Sequence, residues 1–131
     1  MSLKFPYVLH EGFYRPIINI DFLKPEGGLF EFDGLIDSGA PWCLFPGFIA
    51  TLLGHKILKG KLRHMKIGGH TITAYMHKTS TSVITKDFVW DIYFSHDIDD
   101  WDFGILGQDL FFSNFEVTFN YPRKEILLKP F

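Results

Sequence analysis

One carboxylate in this chain stands where hydrolytic chemistry is easily arranged. In Gly34-Leu35-Ile36-Asp37-Ser38-Gly39-Ala40, Asp37 follows an apolar, strand-like run and precedes a Ser-Gly turn. A carboxylate ending a buried strand is held rigidly at the mouth of a fold, and its neighbours set how strongly it is desolvated. Such a group can serve as general acid or base. Hydrolysis by carboxylates uses two of them at opposite protonation states, yet the Asp-Ser-Gly motif occurs once. Taken alone, the motif is weak, because most such aspartates cap turns. Its surroundings strengthen it: a second apolar-to-glycine segment, Gly104-Ile105-Leu106-Gly107-Gln108-Asp109, lies near the far end, and Gly68-Gly69 between the two is a candidate lid.

Other chemistries fit less well. The single cysteine, Cys43, lies in an apolar run without a cysteine-protease signature, which reads as a packed thiol and excludes an intramolecular disulfide. The six histidines have no paired-ligand spacing, so no metal site is expected. His70, beside the lid glycines, reads as an exposed turn residue. Ser38 is not a nucleophile-elbow serine, because Ile36 occupies the place of the first glycine in Gly-x-Ser-x-Gly. The acidic run from Asp97 to Asp102 lacks the glycine and terminal glutamate of an EF-hand loop and reads as solvated.

The elements that must position Asp37 are read mainly from period-two alternation. Ile18, Ile20 and Phe22 share one face of a strand and Asn19 and Asp21 the other. Lys24 to Gly28 is a hairpin turn, and Leu29 to Ile36 returns to the Asp37 turn. Gly47 to Gly54 has helical character, with Pro46 before it and a glycine stop. Lys61 to Ile67 and Thr71 to His77 flank Gly68-Gly69 as a hairpin. Further strands are expected at Asp87 to Ser95, Phe115 to Asn120 and Glu125 to Lys129, and a short helix at Gln108 to Ser113. The sum is an all-β domain with two small helices.

At 131 residues a single domain over residues 1–131 is expected, with a sizeable core. Fifteen phenylalanines suggest a core of bulky rings with some left for an interface. A net charge of -2 without a lysine-arginine cluster argues against nucleic acid as partner. The first residues lack the apolar core of a secretory signal, and the longest apolar stretch, Trp42 to Leu53, is too short to span a bilayer. A soluble cytoplasmic protein without membrane contact is the expectation, consistent with its one cysteine.

At this point the chain resembles the retropepsin-like aspartic proteases, the family of retroviral proteases and their bacterial relatives. The matching pieces are Leu35 to Ala40 as the active-site motif, Ile67-Gly68-Gly69 as the flap, Ile105-Leu106-Gly107 as the glycine segment, and Phe115 to Asn120 with Ile126 to Leu128 as closing strands. The resemblance implies a retropepsin-like acid protease fold, the closed, barrel-like half of a pepsin-type enzyme. It also implies a homodimer in which Asp37 of each subunit supplies one carboxylate, together hydrolysing extended peptides without metal or cofactor. Ser38 would then hydrogen-bond across the dimer, and Gly39 would admit the substrate backbone. Gly68 and Gly69 would let the lid move, while Ala40, Trp42, Phe45, Ile67 and Ile105 would contact substrate. The stretches Phe5 to Leu9 and Ile126 to Phe131 would share an intersubunit sheet.

Two departures stand out. Retroviral members commonly carry an acidic residue after the alanine and an arginine after the later glycine, and these pair; here the positions hold Pro41 and Gln108. The alternative reading is an inactive dimer or monomer of the same fold that binds peptides or proteins.

Overall fold

The computed structural model describes residues 2–131. Strands β1 (Leu3–Pro6), β2 (Val8–His10) and β3 (Phe13–Arg15) open the chain, and β4 (Ile17–Leu23) and β5 (Leu29–Ile36) lead to Asp37. Next come β6 (Leu44–Pro46), α1 (Gly47–Leu52), β7 (Lys61–Ile67), β8 (His70–Val83) and β9 (Lys86–Ser95). Strands β10 (Phe103–Leu106), β11 (Phe115–Asn120) and β12 (Glu125–Pro130) complete it.

The main sheet runs β4-β5-β10-β6-β9-β8-β7, and β4 also pairs with β8 through Asp21 opposite Ser82 and Phe22 opposite Thr81. The strands from β4 round to β8 therefore close on themselves, which removes their edges. The β7-β8 hairpin projects from the ring. A separate sheet, β1-β12-β11, lies beside it. The alternation in β4 puts Ile18, Ile20 and Phe22 into the core and leaves Asn19 exposed. Phe22, Phe45, Phe94, Phe111 and Phe115 are fully buried, and Phe22 meets Phe45 edge to face at 5.1 Å. Removing one such ring costs about 3–5 kcal/mol.

Local chemistry explains the element ends. The β4-β5 turn requires Gly27 and Gly28 at φ 96° and 87°, where L side chains are disfavoured. Helix α1 ends in a Schellman motif: His55 N–H donates to Ala50 O at 2.9 Å and Gly54 N–H to Thr51 O at 3.0 Å. Its start has no capping side chain of its own. Instead Phe48 N–H donates to Asp99 Oδ1 at 2.9 Å, and Asp99 is oriented by His96 Nδ1 at 2.7 Å.

That contact corrects the reading of the acidic run as simply solvated. Asp97 Oδ2 also accepts from Thr73 N–H at 2.8 Å, so these carboxylates stitch the loop to α1 and to β8. Where a helix was expected at Gln108 to Ser113, Gln108–Phe112 is a broken turn, with Leu110 at φ 76° and ψ -60°. Strands β6 and β10 carry no alternation because they are almost wholly buried inside the ring. Strand β8 continues past His77 through Lys78-Thr79-Ser80-Thr81-Ser82, a polar run that looks like a loop. Its buried hydroxyls are satisfied locally, Thr79 by His77 O at 3.0 Å and Thr81 by Phe88 O at 3.5 Å.

Candidate active site

Asp37 lies where β5 leaves its parallel partner β10, just beyond the Ile36–Leu106 pairing. Its N–H donates to Leu106 O at 2.9 Å, which prolongs the ladder by one bond. Ala40 N–H donates back to Asp37 O at 3.2 Å and closes the turn. Gly39 N–H donates to Asp37 Oδ1 at 2.9 Å, so one carboxylate oxygen is fixed by backbone and the side chain has a defined direction. Asp37 is half-buried, Ser38 and Gly39 are exposed, and Ala40 is buried. A Cβ on Gly39 would stand 3.3 Å from that Oδ1, a tight fit against the carboxylate.

The second loop locks onto the first. Gln108 N–H donates to Ala40 O at 2.7 Å and Asp109 N–H to Pro41 O at 3.1 Å. The Gln108 side-chain amide donates to Ser38 O at 2.7 Å. A Cβ on Gly107 would fall 2.1 Å from Trp42 O and 2.6 Å from Ala40 O, so only glycine permits this approach. Absence of the acid-arginine pair therefore does not leave the loops unjoined: a neutral amide bridges them. The sequence held this signal in Gln108, which keeps donors at the arginine's position but lacks its charge.

Above the turn lies a cleft of about 200 Å³ lined by Asp37, Gly39, Ala40, Pro41, Trp42, Lys66, Ile67 and Ile105. The expected contacts Ala40, Trp42, Ile67 and Ile105 thus surround Asp37, and Lys66 joins them without having been anticipated. Its exposed place in an alternating strand gave no hint that it would face the carboxylate's cleft. Gly68 and Gly69 form the β7-β8 turn at φ 56° and 82°, with Ile67 opposite His70. They stand at the tip of the projecting hairpin rather than among the cleft walls, and a Cβ on either would meet nothing within 4 Å. His70 is exposed beside them.

Packing within the chain bears on three further expectations. Phe45 is fully buried against Phe22 and Phe32, so it belongs to the core and not to a subsite. Cys43 is fully buried, and burial pushes its thiol up to about 12, which makes it unreactive at neutral pH. Strand β1 pairs within the chain, Leu3 opposite Leu128 and Phe5 opposite Ile126. Val8 and Leu9 pair instead with Arg15 and Tyr14 of β3, and β1 and β11 are the edges of the β1-β12-β11 sheet.

The fold is all-β and retropepsin-like. A crystal structure of a retropepsin-like aspartic protease from Rickettsia conorii matches it with a TM-score of 0.65 over 98% of this chain and 91% of that chain. The two are 18% identical in sequence, and the likeness is one of fold. No protein-family model and no curated protein matches the sequence. Among the described residues, no helix is long and apolar enough to cross a membrane.

Proposed function

We propose that this chain is a homodimeric aspartic endopeptidase that hydrolyses extended peptide segments with Asp37 from each of two copies. The observation that carries the proposal is the Asp37 turn: a carboxylate with one oxygen fixed by Gly39 N–H, facing a cleft at the base of a glycine-tipped hairpin. One chain brings one such carboxylate, and a two-fold axis supplies the other.

Two carboxylates a few ångströms apart do not both ionise cheaply, so the pair shares a proton and titrates as a unit. The ionised member takes a proton from a water as that water attacks the scissile carbonyl carbon. The protonated member donates to the carbonyl oxygen, giving a tetrahedral diol. Collapse of the diol transfers a proton to the departing amine and breaks the C–N bond, with no acyl-enzyme. No metal or cofactor enters this reaction. In this reading Ser38 braces the partner's turn, Gly39 admits the substrate strand, and Gly68 and Gly69 let the hairpin open. The whole chain acts as one cytoplasmic domain on peptides or proteins.

Asp37→Asn tests the proposal. Peptide cleavage should fall by about 10³-fold or more while the thermal transition stays in place. Undiminished cleavage would sink the proposal. If the wild type is folded and binds peptides but cleaves none between mildly acidic and neutral pH, the protein is a binding module of the same fold.

A further inference from the structure

We infer that the cavity beside the Asp37 cleft receives one substrate side chain and selects a long cationic one, arginine or lysine; the inference rests on the peptide-hydrolase reading above. The cavity holds about 350 Å³, and its walls are Leu35, Trp101, Phe103 and Ile105. Leu35 precedes Asp37 by two residues and pairs with Ile105 across β5 and β10. Ile105 lines both hollows, so a peptide lying over Asp37 has this cavity as its neighbour.

The rest of the lining is polar: His10, Glu11, Asp100 and Asp102. Three carboxylates stand there with one imidazole. The tip of the β2-β3 hairpin brings two of these groups, through a turn at Glu11 and Gly12 with φ 49° and 84°. His10 docks that tip: Nε2 lies 2.9 Å from Asp102 Oδ2, and its ring meets Phe103 edge to face at 5.1 Å. One ring nitrogen of His10 and one carboxylate oxygen each of Glu11 and Asp102 lie within 4.8 Å of one another, so the two carboxylates stand close together. With Nε2–H donating to Asp102, His10 Nδ1 is an acceptor, and it is enclosed with no partner.

An arginine or lysine matches both the apolar walls and the carboxylates. Its methylene stem covers the apolar walls while its cationic head reaches the carboxylates. A purely apolar side chain would fill the walls but leave Glu11 and Asp102 partly desolvated without compensation. An acidic one would be repelled.

The experiment uses octapeptides of alanine and valine that carry arginine, norleucine or glutamate at one central position, in two assays. Cleavage is measured with wild type and with the Glu11→Gln/Asp100→Asn/Asp102→Asn variant. Binding to the Asp37→Asn protein is measured by fluorescence anisotropy. The arginine peptide should exceed the norleucine peptide by about tenfold in kcat/KM and in affinity, with glutamate weakest. The triple variant should bring the arginine-to-norleucine ratio to about one. All three residues are exposed, so the variant keeps the core intact. Cleavage that depends on Asp37 but is equal for arginine and norleucine overturns the pocket assignment and leaves the hydrolase reading standing. Preferential binding of the arginine peptide with no cleavage by wild type overturns the hydrolase reading and leaves the pocket assignment standing.

Discussion

The floor and the lid of the Asp37 cleft both depend on glycine, for opposite reasons. At the floor, a Cβ on Gly107 would strike Trp42 O at 2.1 Å, and one on Gly104 would strike the Phe45 ring at 2.3 Å. At the lid, Gly68 and Gly69 have nothing within 4 Å and are glycines only for their positive φ. One region is glycine because there is no room, the other because of backbone conformation. In the proposed reaction the floor holds a carboxylate to within a fraction of an ångström, whereas the lid clears a path for a peptide.

Substitutions separate the two regions. Gly107→Ala should cost about 3 kcal/mol in urea unfolding and abolish activity, because two carbonyl oxygens must move. Gly69→Ala should cost about 1 to 2 kcal/mol, set only by left-handed backbone strain, and should change KM more than kcat. Equal losses at the two positions would contradict the distinction. Gln108→Leu should cost about 1 kcal/mol by removing the bond to Ser38 O, and Gln108→Glu should not restore it, since a carboxylate has no N–H to donate.

The smallest effect concerns the root of the lid. His55 stacks on His77 of β8 at 4.7 Å, and its pKa is lowered from 6.5, first by burial and then by the charge of His77. The unfolded chain therefore takes this proton more readily than the folded one. The stability linked to neutral His55 is complete above about pH 6.5 and declines as pH falls below it. His55→Gln should flatten the dependence of urea midpoint on pH in that window.

Much of the fold was legible because half-buried strands announce themselves by alternation. Ile17–Leu23, Leu29–Ile36 and Phe115–Asn120 all do so. Leu44–Pro46 and Phe103–Leu106 do not, because strands buried on both faces lose the pattern. The hydroxyl run through Ser82 hid the second half of β8, since its polar groups are bonded within the sheet.

At the site, Asp37 was readable from its local motif and Gly39, Ala40, Trp42, Ile67 and Ile105 from the resemblance alone, and all six line one cleft. What the sequence concealed was distant pairing. Asp99 caps a helix that begins 52 residues earlier, and Asp102 meets His10 from the far end of the chain. Neither contact has a local spacing to betray it. Phe45 misled because its neighbours Trp42 and Ala40 face the cleft while it points into the core.

The central claim is that Asp37 works only with a second Asp37, and mixing wild type with Asp37→Asn tests it directly. At equal amounts, with subunits exchanging freely, only about a quarter of the dimers carry two aspartates. Activity should therefore fall to about a quarter of that of the same total amount of wild type, following the square of the wild-type fraction. A fall in direct proportion to the wild-type fraction would show that each chain acts alone, and would contradict the account.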